Sequence, residues 1–207
     1  MIDDIYRQLG RNTEIIAVAR GSKEYFKRLR RKRVKVVYQK VKSVESSIKV
    51  GFDMAHGDIL ATTDADGTHE TAGIAKAVRI VEAGKADLVL GNRMNGLQKG
   101  SMGAYLAFGN SAISAIFSLL YGVRVHDALT GLFVTNKKTY ELIRNAKLYK
   151  AGSAYFVIEF AKRHVRIDEV DIKYYPRKYG RSQLARFKFL YGLGVGLHLL
   201  RNMIANR

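Results

Sequence analysis

The stretch ILATTDADGTHE, residues 59–70, decides how the chain is read. Ile59 to Asp64 is an apolar, β-prone run that ends in two aspartates, Asp64 and Asp66, with one residue between them. Asp66-Gly67 is a turn dipeptide, so the strand stops where the carboxylates begin. Two readings follow. The pair is an acidic turn in solvent, or it holds a hard divalent cation, Mg2+ or Mn2+, whose other ligands come from phosphates and water. A lone D-x-D occurs often by chance, and its place at a strand end is what gives it weight. His69 reads either as a ligand or leaving-group contact, or as a turn-filling side chain bonded to backbone. Glu70 reads as a first-turn residue favoured by the dipole of the helix that follows.

Outward from this stretch, strands alternate with helices. EIIAVA (14–19) and VKVVYQ (34–39) are short apolar runs with β-branched residues, and ADLVLGNR (86–93) is another. Between them, residues 2–9, the basic segment after Gly21-Ser22, residues 43–58 and TAGIAKAVRIVEAG (71–84) carry helical spacing, the last with a glycine stop. Such alternation predicts an α/β fold with a mostly parallel sheet and helices on both faces. In sheets of this kind the site lies at the carboxyl ends of the strands. Gly21, Ser22, Asp64, Asp66, Asn92 and Arg93 all fall at such ends. The second half predicts a long helix near 103–122, a loop holding Asp127, a short strand in LFVTN, helices in KKTYELIRNA and YFVIEFAKRH, and a strand in RIDEVDIKYY (166–175). A basic loop, PRKYGRSQL, follows, with Arg177, Lys178 and Arg181 around Gly180 and Ser182. Arginines in that setting suit phosphate, because the guanidinium fork matches its oxygens, although a solvated loop has the same composition.

Composition narrows the partners. The 207 residues suit one domain and include 36 basic and 18 acidic side chains, a formal charge of +18. That charge bears on partners and not on fold. There is no cysteine, so disulfides and cysteine-based metal or catalytic chemistry are excluded from these residues, in keeping with an intracellular setting. The densest basic cluster, Lys27 to Arg33, reads as a solvated helix end, as a patch facing anionic lipid, or as a nucleic-acid contact. A single-strand binder interleaves aromatics with its cations, whereas Tyr25 and Phe26 precede this cluster, so nucleic acid is disfavoured. Two apolar stretches call for a membrane check. Residues 102–123 carry no charge and are long enough to span, but Asn110, Ser111, Ser114 and Ser118 form a polar stripe, which predicts a helix buried against protein on several sides. Residues 187–204 include Lys188, His198 and Arg201 and read as an interfacial helix.

Six stretches then fall in a telling order: EIIAVARGS, GFDMAHGD, TTDADGTHE, LVLGNR, GN…GVRVHDALTGLF, and Glu159 with EVDIKYYPRKYGRSQL. Together they resemble the family-2 glycosyltransferases, and within them the polyprenyl-phosphate sugar transferases of the dolichyl-phosphate mannose synthase type. The resemblance covers roughly residues 14–200. It implies a glycosyltransferase A-type, Rossmann-like fold in a single domain, 1–207. Residues 1–100 would form the nucleotide-sugar and metal half, 101–186 the acceptor half, and 187–207 a C-terminal interfacial helix. It implies transfer of a sugar, mannose or glucose, from a nucleotide sugar to a polyprenyl (dolichyl) phosphate, with inversion and with Mg2+ or Mn2+. Asp64 and Asp66 would hold the metal, and Gly21, Ser22, Asp64 and Arg93 the donor. Arg177, Arg181 and Ser182 would hold the acceptor phosphate, with Asp66, Asp127 and Arg177 as the catalytic set. The partners implied are the nucleotide sugar, the lipid phosphate and an anionic membrane surface, with the protein peripheral at the cytoplasmic face.

The chain departs from the pattern at three places. Where the family opens on a strand ending in Pro-Ala-Tyr-Asn-Glu, this chain opens on what corresponds to the following helix. Where the family has Asp-Asp-Gly-Ser, this chain has Ala19-Arg20-Gly21-Ser22, and Thr68 stands where a glutamine is usual. The alternative expectation is therefore a non-catalytic or N-terminally incomplete relative that binds polyprenyl phosphate or anionic membrane.

Overall fold

The computed structural model describes residues 1–19, 23–30, 33–39 and 43–177. Gly21, Ser22, Arg181, Ser182 and the expected helix at 187–207 lie outside the described residues. In chain order the elements are α1 (Ile2–Leu9), β1 (Ile15–Ala19), α2 (Lys23–Arg30), β2 (Val34–Tyr38), α3 (Val44–Asp53), β3 (Ile59–Thr62), α4 (Thr71–Glu82) and β4 (Leu88–Asn92). They continue with α5 (Ala104–Tyr121), β5 (Phe133–Asn136), α6 (Lys137–Glu141), α7 (Ala154–Ala161) and β6 (Ile167–Asp171). Local chemistry sets several boundaries. Ser43 caps α3 by accepting from the Ser46 amide at 3.2 Å, and Asn136 caps α6 by accepting from the Thr139 amide at 2.7 Å. Gly122 ends α5 in the left-handed conformation.

Strands β1 and β2 pair in parallel, with Ala17 opposite Val36. The other four form a sheet in the order β3-β5-β4-β6. Among these described strands, β3, β4 and β6 share one direction and β5 runs against them. Three of its four strands thus share a direction, and the reversed inner strand β5 makes both of its pairings antiparallel, so this sheet is mixed. That strand comes from the second half of the sequence and sits between two strands of the first half, so the two halves share one sheet.

Alternation along the strands divides the core in two. Leu88 and Leu90 of β4 and Phe133 of β5 face a cluster with Phe52 of α3, Phe117 of α5 and Phe156 and Phe160 of α7. Val89 and Val134 face the other way, onto Ile74, Ala77 and Val81 of α4, with Ile5 and Leu9 of α1 packed on the margin. Period-2 burial on both faces is why these strands read as continuous apolar runs. Every residue of α7 is buried, and burying its Phe156, Val157, Ile158 and Phe160 side chains is worth roughly 1.5–3 kcal/mol each.

The long helix α5 overturns one expectation. It is not enclosed on several sides: its buried residues are Asn110, Ser114 and Phe117, while Tyr105, Phe108 and Leu119 are 67%, 77% and 85% exposed. The polar stripe points inward because it ties down the loop that follows. Asn110 donates to Asp127, the Ser114 hydroxyl accepts from the Ala128 amide, and the Ser118 hydroxyl both donates to the Val125 carbonyl and accepts from its amide. Ser111, the fourth member of the stripe, is exposed. By length and composition α5 is the one helix among the described residues apolar enough to cross a membrane, with a mean hydropathy of 1.4.

Candidate active site

The end of β3 delivers Asp64 and Asp66 to the carboxyl edge of the sheet, as the sequence predicts. Gly67, at φ 75°, supplies the left-handed residue that lets the chain turn. Asp66 closes the turn on itself: its Oδ1 accepts from the Thr68 amide at 3.0 Å and from the Thr68 hydroxyl at 2.7 Å. Its Oδ2 accepts from Arg177 Nη2 at 2.6 Å. The structure therefore joins Asp66 to Arg177, residues 111 positions apart in sequence (177 − 66), in one contact. Asp64 is different. Its side chain is 49% exposed, and its Oδ2 lies 3.9 Å from His69 Nδ1. Behind it stands Gly131, where a Cβ would come within 2.7 Å of Asp64 Oδ2. Only glycine leaves the carboxylate its place, which gives the Thr130-Gly131 pair a physical meaning.

Arg93, at the end of β4, turns away from solvent. Its Nε and Nη2 donate to Asp127 Oδ2 and Oδ1 at 2.6 and 2.8 Å, and its own amide adds a third bond to Oδ2 at 3.0 Å. Asn110 Nδ2 donates to Asp127 Oδ1 at 2.9 Å. Asp127 has no exposed surface, so it stands behind Arg93 and out of reach of solvent. Glu169 of β6 fixes the loop by accepting from the His126 and Asp127 amides. Burial disfavours charge on both partners, but the pairing prevails. Arg93 is held above its ordinary value by Asp127, and Asp127 below its own by Arg93 and Asn110.

A third layer comes from the segment after β6. The Ile172 amide donates to the Asn92 carbonyl and the Tyr174 amide to the Gly96 carbonyl, which carries the chain across the front of β4. Gly96 permits this approach, since a Cβ there would lie 2.0 Å from the Ile172 carbonyl oxygen. Tyr174 then bridges to both His69 and Leu97. Its ring receives the Arg93 guanidinium at 5.3 Å and lies 5.3 Å from the His69 ring. His69 is 1% exposed, and neither ring nitrogen has a hydrogen-bond partner. Burial holds its pKa below the ordinary histidine value against the pull of Asp64. The turn-filling reading of His69, which required a backbone hydrogen bond, does not hold. Glu70 stands at the N-cap of α4, where its Oε2 accepts from the Lys173 amide at 3.0 Å.

Asp64, Asp66, Arg93, Asp127 and Arg177 thus fall on one edge of the sheet. Sequence reasoning missed Tyr174 and Glu169 as parts of the assembly. The alternation of RIDEVDIKYY placed both on a strand but gave no sign of what they touch. A divalent cation suits the oxygen donors of Asp64 and Asp66, and the unpartnered His69 beside them fits a group that supplies the missing contact. As the side chains stand, no three acidic or imidazole groups among the described residues converge closely enough to hold an ion. Arg177 is the cation on Asp66.

The glycosyl transferase family 2 profile matches residues 1–105, just over half of the 207 residues. The chain belongs to glycosyl transferase family 2. Its relatives include a low-salt glycan biosynthesis hexosyltransferase of Haloferax volcanii, 28% identical over 66% of this chain and 33% of that protein. They also include a UDP-N-acetylglucosamine–dolichyl-phosphate N-acetylglucosaminyltransferase of Methanococcus voltae, 29% identical over 77% of this chain and 68% of that protein. The chain therefore spans about a third of the first relative's length and about two thirds of the second's. Among solved structures, glucosyl-3-phosphoglycerate synthase of Mycobacterium tuberculosis, with Mn2+, UDP and glucosyl-3-phosphoglycerate, superposes with a TM-score of 0.65 at 14% identity. That match covers 98% of this chain and 74% of that one. Mannosyl-3-phosphoglycerate synthase of Rubrobacter xylanophilus gives 0.64 at 15%, covering 98% and 68%. These likenesses establish the glycosyltransferase A-type fold.

Proposed function

We propose that this glycosyltransferase moves a hexose from a nucleotide sugar to a polyprenyl phosphate of the dolichyl type, with inversion, and that it needs Mg2+ or Mn2+. The observation that carries the proposal is the convergence of two strand-end carboxylates, Asp64 and Asp66, with Arg177 and the buried Arg93–Asp127 pair. The relative acting on dolichyl phosphate supports the acceptor. So does α5, whose exposed apolar face offers a surface to lipid beside a chain of charge +18. The protein would sit at the cytoplasmic face of an anionic membrane, with residues 1–100 serving the donor and 101–186 the acceptor in one domain.

In this reading Asp64 and Asp66 hold the cation, which when bound neutralises charge developing on the departing nucleotide phosphates. Arg93 keeps two nitrogens on Asp127 and presents Nη1 to a donor phosphate oxygen. Asp127 acts through Arg93, as the group that fixes its direction. Gly21 and Ser22 serve the donor, and Arg181 and Ser182 the acceptor. Arg177 leaves Asp66 and holds the acceptor phosphate, which is already ionised at neutral pH and needs position more than a strong base. An acceptor phosphate oxygen then bonds to the anomeric carbon as the bond to the nucleotide's terminal phosphate oxygen breaks on the opposite face.

The test is transfer of radiolabelled hexose from UDP- and GDP-sugars to dolichyl phosphate in vesicles, with and without Mn2+. Metal-dependent product is expected. Binding of dolichyl phosphate with no donor binding and no product would instead support the non-catalytic alternative.

A further inference from the structure

Glu159 is a buried carboxylate that the chemistry above does not use. It stands near the C-terminal end of α7, at the edge of the sheet where β6 begins, opposite the edge that carries Asp64, Asp66 and Arg93. Three donors hold it. Its Oε1 accepts from the Tyr149 hydroxyl at 3.2 Å and from Lys162 Nζ at 2.9 Å, and its Oε2 accepts from Arg163 Nη1 at 2.9 Å. Burial works against its charge, but Lys162 and Arg163 hold its carboxyl below the ordinary glutamate value. The carboxylate is thus a fixed counter-charge that orients two cations. Together with Lys147 these groups line a cavity of about 400 Å³, within the roughly 300–1,000 Å³ of small-molecule sites.

The cations keep donors for something else. Arg163 commits Nε to the Leu142 carbonyl and Nη1 to Glu159, while Nη2 makes no hydrogen bond among the described residues. Lys162 commits one of its N–H groups to Glu159, with its ammonium 5.7 Å from the centre of the Tyr149 ring. Lys147 is exposed, on a loop that the Tyr155 hydroxyl holds by donating to the Ala146 carbonyl at 3.1 Å. Three cations and one carboxylate leave the lining at a charge of +2 (3 − 1). A phosphate monoester carries about −1.5 to −2 at pH 7 and accepts from guanidinium and ammonium donors. We propose that this cavity binds a phosphate monoester, its phosphate held by Lys147, Lys162 and Arg163 and its organic part lying on Leu148 and Tyr149. The cavity is on the far edge from the catalytic residues, so its ligand binds whether or not the metal-dependent reading holds. The phosphate has two sources. Leu120 and Tyr121 of α5 pack on the same core cluster as Leu148 and Tyr149, and Leu119 beside them is 85% exposed. A lipid headgroup with its chains along α5 and a soluble phosphate ester both meet the chemistry.

Lysine footprinting of the whole chain tests this. The protein is acetylated briefly, and modification of Lys147 and Lys162 is read by mass spectrometry, with the exposed Lys76 of α4 as the control. The probes are glycerol 3-phosphate, and phosphatidylcholine vesicles with and without phosphatidic acid. We expect the phosphate-bearing probe to slow modification of Lys147 and Lys162 severalfold and to leave Lys76 unchanged. Protection by phosphatidic acid alone assigns the phosphate to a lipid headgroup, and protection by glycerol 3-phosphate alone assigns it to a soluble ester. In Lys147→Glu, protection of Lys162 should need roughly tenfold more ligand. Footprinting itself needs no substitution, so the result does not depend on a variant folding. Protection by neither probe, or equal protection by glycerol and by plain phosphatidylcholine, overturns the site. Protection that is lost in Arg177→Ala also overturns it, because the phosphate would then sit at the catalytic edge.

Discussion

Two carboxylate–arginine pairs lie on the same sheet edge and differ in almost every physical respect. Asp127 and Arg93 are 0% and 10% exposed, joined by two side-chain bonds, with Asn110 and a backbone amide completing the carboxylate's contacts. Asp66 and Arg177 are 14% and 34% exposed and share a single described contact, to one carboxylate oxygen. The first pair cannot be opened without stranding a charge in the core. The second opens at little cost. The first is chiefly framework, with one arginine nitrogen left over for the donor, and the second is machinery, although a list of ion pairs shows two of the same kind.

The largest expected effect tests the framework. Asp127→Ala leaves Arg93 buried and uncompensated, which should cost roughly 3–5 kcal/mol of stability in a urea titration. A loss below about 1 kcal/mol would mean that the pair is wetter than its burial implies. Arg177→Ala should do the opposite. A partly exposed pair contributes about 0–1 kcal/mol, so stability should hardly move. Transfer should fall by roughly 10²–10³, as for loss of one positioned cation or donor. Equal stability losses for the two variants would erase the distinction. Gly131→Ala is a finer probe. Its methyl would sit 2.7 Å from Asp64 Oδ2, and the exposed carboxylate can swing aside, so the fold survives while Mn2+ affinity drops about tenfold.

The smallest effect is read in acid. Asp87, at the entry to β4, is held below the ordinary aspartate value by hydrogen bonds from Arg166. A carboxylate depressed on folding stabilises the protein above its unfolded value of about 3.9 and loses that contribution as pH falls through the folded value. Asp87→Asn should therefore cost a small amount of stability near pH 7, about 0–1 kcal/mol, and the gap to the unsubstituted protein should close as pH falls below about 4.

Much of the framework was legible in the residues. Apolar runs marked five of the six strands and polar–apolar alternation the sixth, and the D-x-D at the end of the ILATT run placed the carboxylates at the sheet edge. Period-based reading stops at what an element touches. LFVTN reads as a strand, but nothing local says that it inserts between β3 and β4 against their direction. In α5 the polar residues read as a mark of burial on several sides. They are instead the inward face, because loop 122–131 has backbone groups to satisfy and Asn110, Ser114 and Ser118 satisfy them. Asp127 looked like a site residue by its motif. Its lack of exposed surface follows from Arg93, Asn110 and Glu169, which come from three other elements.

The central claim is that Asp64 and Asp66 bind the donor through a metal ion. Isothermal titration of UDP- and GDP-sugars, with and without Mn2+, into the chain and into Asp66→Asn tests it most directly. The account predicts Mn2+-dependent binding of one donor, lost in Asp66→Asn without loss of stability. Donor binding that is indifferent to Mn2+, or that survives the substitution unchanged, would contradict it.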